Sequence, residues 1–485
     1  MAGDSGERKF VEQLPRRSDD YSRWYLDVIA KAELADYSPV RGCMVIRPYG
    51  YTIWENMQSL LDARFKATGH VNAYFPLFVP ESLLTREADH VEGFAPEVAW
   101  VTHAGGEELE ERLAIRPTSE AIIGTMYSEW VQSWRDLPVL INQWCNVVRW
   151  EKRTLPFLRT TEFLWQEGHT AHRTSDEAEE ETQRMLEVYR DFLETELAIP
   201  VIPGRKTESE KFPGANATYT VEALMPDGRA LQSGTSHFFG QNFANAFDIS
   251  FQDLDGERRH AWTTSWGLST RTVGALIMVH GDDSGLIIPP RVAPIHVVIV
   301  PIPAKTEEDE QAIRAAVERI EVALKPHFRV KTDWSEKTPG WKFNEWELRG
   351  VPIRLEVGPR DVKTGVATLV RRDNRAKQAV AEADIPSSVT HLLEEIQQSL
   401  FDRAKEARDN ATKTVDSLVE FSEIMAGPRG FLRARWCENP VCEAAIKEQT
   451  GATIRCLPRD EPDDLGPCVC CGSPSERRAL FARAY

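Results

Sequence analysis

The chain has 485 residues, of which 42% are apolar and 27% charged, the balance of an ordinary globular protein with room for roughly two to four domains. Its 58 Lys+Arg stand against 75 Asp+Glu, a net charge of −17, which argues against a general nucleic-acid coat because a diffuse acidic surface repels phosphate. No apolar run approaches the roughly 20 residues that span a bilayer, and the polar stretch from Met1 to Asp20 carries no apolar leader core, so a cytoplasmic setting without a membrane is expected.

In chain order, Gly50–Thr68 places Ile53, Met57, Leu60, Leu61 and Phe65 at spacings of three and four, which predicts an amphipathic helix stopped by Gly69. Ala73–Val79 reads as a strand. Asn146–His172 holds two alternating or apolar stretches around a polar, Pro-containing loop, the pattern of a hairpin. Side chains two apart share a face of a strand. The first strand is therefore expected to carry Arg149 and Glu151 together, and the second Phe163, Trp165, Glu167 and His169. Thr174 and Glu177 form a capping box for an acidic helix ending before Pro200. In Thr263–Met278, Gly267 permits close backbone approach, and Arg271 opens an apolar helix, a placement suited to an anion.

After Pro290 the pattern changes. Ile295–Pro301 is nearly continuous apolar sequence, as in a strand covered on both faces. A charged helix over Thr306–Leu324 and strands at Phe328–Lys331, Ile353–Val357 and Ala367–Arg371 complete a small α/β unit. Residues 331–377 hold eleven Lys/Arg and seven Asp/Glu, a positive island in an acidic chain; read by itself it is either a solvated mixed face or a groove for a polyanion. Pro386–Lys413 reads as a helical connector. Six of the 8 cysteines fall in the last tenth of the chain. Cys437 and Cys442 form one close pair and Cys468 and Cys471 another, a spacing that suits a closed, structural four-thiolate Zn2+ site, with Cys470 as a competitor and Cys456 as a buried thiol.

Three segments, in order, resemble the signature motifs of class II aminoacyl-tRNA synthetases: the helix Gly50–Thr68 with the strand ending at Pro76; Arg149-Trp150-Glu151 followed by Arg159-Thr160-Thr161-Glu162-Phe163; and Gly267-Leu268-Ser269-Thr270-Arg271. Arg116-Pro117-Thr118-Ser119-Glu120, Trp165-Gln166-Glu167-Gly168-His169, Gly234-Thr235-Ser236-His237, His280-Gly281-Asp282-Asp283 and the terminal Tyr485 resemble the prolyl-specific family within that class. The likeness is to its archaeal/eukaryotic-like type, since the stretch between Arg149 and Arg271 leaves no room for an editing insertion.

The resemblance implies an α+β protein. Residues 1–290 would form a catalytic core on an antiparallel sheet, residues 291–395 an α/β anticodon-binding domain, and residues 396–485 a helical connector with a zinc-binding domain. It implies a homodimer joined through the first motif, with ATP and Mg2+, L-proline and tRNA(Pro) as substrates. Arg149 would bridge the α-phosphate and the amino-acid carboxylate. Arg271 and Arg159 would hold the outer phosphates, Phe163 and Arg271 would sandwich adenine, and Glu151, Thr160, Gln232 and Ser269 would complete the nucleotide site. Thr118 and Glu120 would accept from the proline ammonium. Trp165, Phe212 and His169 would wall its ring above His237, with Glu167 beside them. Glu222 and Asp227 are candidate magnesium ligands. Lys342, Glu345, Glu347, Arg354 and Arg360, with Lys363, are the expected anticodon contacts. Rival readings are another class II synthetase, separated only by pocket residues; a non-catalytic tRNA-binding relative, disfavoured by the retained Arg149 and Arg271; and a zinc enzyme, disfavoured by four thiolates that leave no position for water.

Overall fold

The computed structural model describes residues 14–90 and 97–485; most of the N-terminal stretch expected to lack a leader core lies outside them. Seven strands build the catalytic sheet: β1 Val71–Asn72, β2 Val139–Val148, β3 Glu162–His172, β4 Val201–Arg205, β5 Ala217–Leu224, β6 Arg229–Gly240 and β7 Trp262–Ser269. They lie in the order β4-β5-β6-β7-β3-β2-β1, antiparallel except for the short β1–β2 pair. Four helices frame the sheet: α1 Pro48–Ala67, α2 Glu120–Trp130, α3 Ser175–Asp191 and α4 Arg271–His280.

The expected first helix forms as α1. A proline opens it, where its fixed φ suits a helix and its missing N–H costs nothing. Ile53, Met57, Leu61 and Phe65 fall four apart and are all buried, each contributing about 1.5–3 kcal/mol. Gly69, at φ +91°, ends the turn. Phe65 reaches Trp266 on β7, with ring centroids 4.8 Å apart. Trp266 pairs across the sheet with Gly168; a Cβ at Gly168 would meet the indole at 2.0 Å, so only glycine lets the ring lie flat there. This packing seals the sheet face turned away from the cleft.

Two expectations change here. Ala73–Val79 is not one strand: only Val71–Asn72 and Phe78–Pro80 are extended and paired. Between them Pro76 has no N–H to give, and side chains take the backbone groups instead, Gln143 accepting from Phe75 N at 2.7 Å and Arg116 donating to Phe75 O at 2.7 Å. The β2–β3 hairpin pairs from Val139–Ala171 to Val148–Glu162, but β2 stops at Val148. Arg149 and Glu151 therefore lie in the connecting loop rather than on a strand face. The capping box forms as read, with Glu177 N donating to the Thr174 hydroxyl at 3.3 Å and Thr174 N to the Glu177 carboxylate at 3.2 Å.

The α/β unit has the strands β8 Val297–Pro301, β9 Val330–Thr332, β10 Ile353–Val357, β11 Val366–Arg371 and β12 Lys377–Ala381 in the order β9-β8-β10-β11-β12. Its longer helices are α5 Glu307–Leu324, α6 Pro339–Leu348 and α7 Ile385–Asn410, and a short one spans Pro359–Thr364. Every residue of β8 is buried, as a parallel central strand requires. The unit is tied to the catalytic part by Arg372, whose guanidinium donates twice to Asp282 at 2.6 and 2.8 Å. The His280-Gly281-Asp282-Asp283 segment thus serves as a joint: His280 meets Leu197 O at 2.8 Å and Asp282 takes the arginine.

The C-terminal strands, β13 Thr412–Val415, β14 Phe431–Arg435, β15 Thr453–Pro458 and β16 Arg478–Ala484, flank helix α8 Pro440–Thr450. They do not close on themselves. β15 pairs with β4, making one continuous eleven-stranded sheet, and the end of β16 pairs with the start of β6. At the seam Glu222, fully buried, takes Lys206 Nζ at 2.9 Å and Arg455 Nε at 3.1 Å. Removing one partner of such a buried set costs about 3–5 kcal/mol, because a charge is stranded. The terminal Tyr485 donates its hydroxyl to Asp227 at 2.7 Å beneath the Arg229 guanidinium.

Candidate active site

A cleft of about 320 Å3 opens on the other face of the catalytic sheet, lined by β3, β5, β6 and β7, the Thr118–Glu120 segment and the loop before β5. Alternation along β3 brings Phe163, Trp165, Glu167 and His169 into it together, as the two-residue period requires. Thr118, Glu120, Phe212, Gln232, His237, Ser269, Arg149 and Arg271 line it too. Twelve residues far apart in sequence thus share one cavity.

Arg149 is exposed and opens onto the cleft. Its Nε donates to Pro117 O at 3.0 Å, and its guanidinium carbon lies 5.6 Å from the Phe163 ring and 5.3 Å from the Trp165 ring, within range for cation–π attraction. Arg271 sits at the start of α4 with Nε on Leu158 O at 3.1 Å. Desolvation lowers the pKa of Arg149; desolvation and then the charge of Arg149 lower that of Arg271 to about 10. Both remain cations at neutral pH. Among the described residues neither has a carboxylate within 4.0 Å, so their fixed charges face the cavity.

The two carboxylates of the pocket differ. Glu167 Oε2 meets His169 Nε2 at 3.0 Å, while Oε1 accepts from Gln143 Nε2 at 2.8 Å and from the Ser119 and Cys145 side chains. Burial alone would raise its pKa; the hydrogen bond and charge of His169 and the bonds from Ser119 and Gln143 outweigh that and hold it low. Burial likewise opposes the charge on His169, and Glu167 reverses the sign, raising the histidine. Glu120 receives a short hydrogen bond from Thr118, its one side-chain partner among the described residues. Burial raises its pKa, His169 pulls it back and Glu167 adds to the rise. Glu167 is a saturated internal ion, whereas Glu120 keeps capacity for a cationic guest. His237 is pushed down to about 3 by burial, with His169 and Arg149 adding. It stays neutral beneath Phe212, 4.7 Å between centroids, with Nδ1 on the Thr218 hydroxyl at 3.0 Å.

The arrangement can grip a dianionic or trianionic group with two rigid forks and, beside it, a small cationic group with an apolar body. Family models match most of the chain: the tRNA synthetase class II core domain (G, H, P, S and T) over residues 100–280, the anticodon binding domain over 296–392, and the prolyl-tRNA synthetase C-terminal domain over 418–485. The proline--tRNA ligase of Natranaerobius thermophilus is 58% identical over 480 residues, covering 98% of this chain and 99% of that one. The ligase of Ruminiclostridium cellulolyticum is 55% identical over 479 residues, covering 99% of each chain. The chain belongs to the proline--tRNA ligase family. A crystal structure of prolyl-tRNA synthetase from Cryptosporidium parvum, complexed with halofuginone and AMPPNP, superposes with a TM-score of 0.92 at 43% identity, covering 97% of this chain and 99% of that one. As a class II proline--tRNA ligase, the chain attaches proline to tRNA at the expense of ATP.

Not every residue expected in a proline--tRNA ligase site lines the cleft. Glu151 and Arg159 pair with each other at 2.8 Å on the loop after β2, and Thr160, buried, donates to Glu162 O at 2.7 Å beside a neighbouring cavity. Glu222 does not fit a magnesium site, since Lys206 and Arg455 already occupy its oxygens. Asp227 is engaged by Tyr485. In the positive island, Lys342 is buried with Nζ on Asp333 O at 2.9 Å, and Arg354 pairs with Glu347 and Glu356 at 3.1 and 3.0 Å. Both side chains are buried and held by partners within the protein, so neither is free for a phosphate without rearrangement. Arg360 and Lys363 are exposed, and Glu345 and Glu347 are half-buried.

Sequence reasoning missed Gln143 and Cys145, which orient Glu167, and Thr218, which orients His237. Strand alternation held the signal: Gln143 stands directly opposite Glu167, and Cys145 opposite Trp165. In the C-terminal part the ligand atoms of Cys437, Cys442, Cys468 and Cys471 lie within 4.8 Å of one another. Cys437 Sγ is 3.7 Å from both Cys442 Sγ and Cys471 Sγ, close to the roughly 3.8 Å edge of a tetrahedron with metal–sulfur bonds of about 2.3 Å. The donors fit a metal ion. Cys470 stands outside this cluster, and Cys456 is buried among Phe431, Leu480 and Ala482.

Proposed function

We propose that the cleft performs both steps of proline charging with a specific division of labour. Arg149 carries the reading: a cation exposed to the cleft, held by Pro117 O, facing two aromatic rings and lacking a carboxylate partner among the described residues. It bridges the proline carboxylate and the α-phosphate while the carboxylate oxygen attacks phosphorus and pyrophosphate leaves. The terminal ribose hydroxyl of tRNA then attacks the carbonyl of the mixed anhydride, and AMP leaves. Both transition states gather charge on oxygen, and fixed guanidinium groups stabilise it without reorganising. Bidentate geometry favours arginine over lysine there. The nucleophile of the first step is already anionic, so no general base is needed.

Arg271 holds the outer phosphates and, with Phe163, sandwiches adenine; Gln232 and Ser269 complete the wall. ATP enters as its magnesium complex. Glu151, Arg159 and Thr160 act from the loop after β2, which must fold inward over the nucleotide to reach it. Thr118 and Glu120 accept from the proline ammonium. Trp165, Phe212 and His169 wall the ring above neutral His237, with Glu167 beside them. Such a pocket excludes larger residues by clash, but rejects an amino acid smaller by a methylene by only about 1–3 kcal/mol. Alanine is therefore activated measurably, and the chain does not clear alanyl-tRNA itself. The deciding experiment is pyrophosphate exchange over an amino-acid panel; exchange driven best by threonine or glycine would overturn the reading.

The domains divide at 1–290, 291–395 and 396–485, the last boundary falling within α7, which runs from the α/β unit toward the C-terminal strands. The four cysteines hold a structural Zn2+, at about one per chain in metal analysis. Lys363 and Arg360 meet the tRNA backbone, and Glu345 and Glu347 the anticodon bases. Lys342 and Arg354 support that face from within. The molecule is a cytoplasmic homodimer. Exposed Tyr37, Val45, Tyr51, Val71, Tyr74 and Phe78 surround the first motif, an apolar surface suited to a partner. Sedimentation at one-chain mass would refute the dimer. Among the described residues no helix is long and apolar enough to cross a membrane.

A further inference from the structure

The loop between β4 and β5 brings Glu210, Lys211 and Phe212 into the cleft. It closes on two threonines. Thr207 O accepts from Glu210 N at 3.2 Å and Lys211 N at 2.9 Å. The Thr218 hydroxyl accepts from Phe212 N at 2.9 Å and also meets His237. The Thr207 side chain reaches beyond the catalytic part: its hydroxyl, which also meets Ser209 Oγ at 3.1 Å, donates to Glu443 Oε1 at 2.9 Å, a contact spanning 236 residues. Both groups are buried, at 4% and 7% exposure. Glu443 lies on α8 immediately after Cys442, one of the four clustered thiols. The preceding residue, Lys206, is held from the same side, because its partner Glu222 also takes Arg455 from β15. Around this contact the root of the loop borders a cavity of about 650 Å3, lined also by Ser209 and Trp436. The Glu443 hydrogen bond crosses the edge of that space.

We propose that Glu443 is a positioning residue for the amino-acid site: through Thr207 it fixes the loop that sets Phe212 over the ring of the substrate, so the metal-binding domain holds one wall of the proline pocket. The Thr207–Glu443 bond ties the root of this half-exposed loop to the C-terminal part, and a hydroxyl-to-carboxylate bond in a buried setting is directional and strong. Glu443 touches no substrate. Its effect therefore falls on how well proline is held, with ATP binding and the chemical step largely spared.

The inference rests on Phe212 being a wall of the proline pocket, which Phe212→Ala tests separately. Full-length, metal-loaded Glu443→Ala, Glu443→Gln and Thr207→Val are compared in proline-dependent pyrophosphate exchange, with metal content and Tm measured on each. Glu443→Ala and Thr207→Val should each raise KM for proline about tenfold, the scale of one lost charged hydrogen bond. Their kcat and KM for ATP should move less than about threefold. Glu443→Gln should restore most of the affinity, since its amide oxygen still accepts from Thr207. The double variant should be no worse than either single one. An unchanged KM for proline in a folded, metal-loaded Glu443→Ala protein would overturn the proposal, as would equal effects of Ala and Gln. Should Glu443→Ala fail to fold, Thr207→Val decides, because it keeps the shape and removes the hydroxyl that donates to Glu443; Ser209→Ala controls for that hydroxyl's other contact and should leave KM for proline unchanged. If Phe212→Ala leaves KM for proline unchanged, the pocket reading fails instead.

Discussion

The cleft and the positive island of residues 331–377 are both rich in cations, yet they use them oppositely. In the island Lys342, Arg354, Arg371 and Arg372 each reach a carboxylate within the protein. Their charge is consumed in holding strands and helices together. In the cleft Arg149 and Arg271 are fixed by carbonyl oxygens and, among the described residues, meet no carboxylate at all. A cation that is anchored without being neutralised retains its field for a ligand. Counting Lys and Arg in the sequence cannot make this distinction, because it depends on where each partner carboxylate ends up.

The sharpest way to break the comparison is Arg149→Ala. Proline-dependent exchange should fall by about 10²–10³-fold, the scale of losing one pre-aimed charge donor, while Tm stays nearly constant because no ion pair is lost. Near-normal exchange would remove Arg149 from the mechanism. Next is Glu120→Gln. The folded protein raises the Glu120 pKa, chiefly by burial. Its protonated form is favoured by the fold, and that contribution, present below the unfolded value near 4.5, is lost as pH rises through the folded value. At neutral pH the raised pKa therefore costs stability. The glutamine variant should melt higher at pH 7 and bind proline about tenfold more weakly or worse, on the scale of a lost charged hydrogen bond; a lower Tm would contradict this sign.

The island should behave in the opposite sense. Lys342→Ala removes a buried donor and should cost about 1–3 kcal/mol of stability in a denaturant titration, with exchange intact in the surviving folded protein. The smallest effect is expected of Arg360→Ala. This exposed cation should give up about threefold in KM for tRNA, roughly one phosphate contact, leaving exchange and Tm unchanged. If Lys342→Ala weakens tRNA charging without loss of stability, the division between consumed and available cations is wrong.

Much of the site is legible in the amino-acid sequence, for a local reason. A two-residue period places Phe163, Trp165, Glu167 and His169 on one face wherever that strand goes. Helical spacing does the same for Ile53, Met57, Leu61 and Phe65. The close pairing of Cys437 with Cys442 and of Cys468 with Cys471 survives any arrangement of the domains. Arg149 and Glu151 are misplaced by such reasoning because a period says which face a residue takes, but not where the strand stops. Gln143 and Cys145 escape it because their importance lies in reaching Glu167 across the hairpin, Gln143 from directly opposite and Cys145 from the pair beside it.

What the chain's residue order settled by itself is the set of short-range patterns: strand faces, helix stripes, caps and cysteine turns, all fixed by backbone geometry over a few residues. Only the folded chain decided which charges stay available, that the last strands extend the catalytic sheet rather than forming a module apart, and that Glu443 reaches Thr207. Those outcomes join groups hundreds of residues apart, where burial and the search for hydrogen-bond partners govern and no local period carries the information.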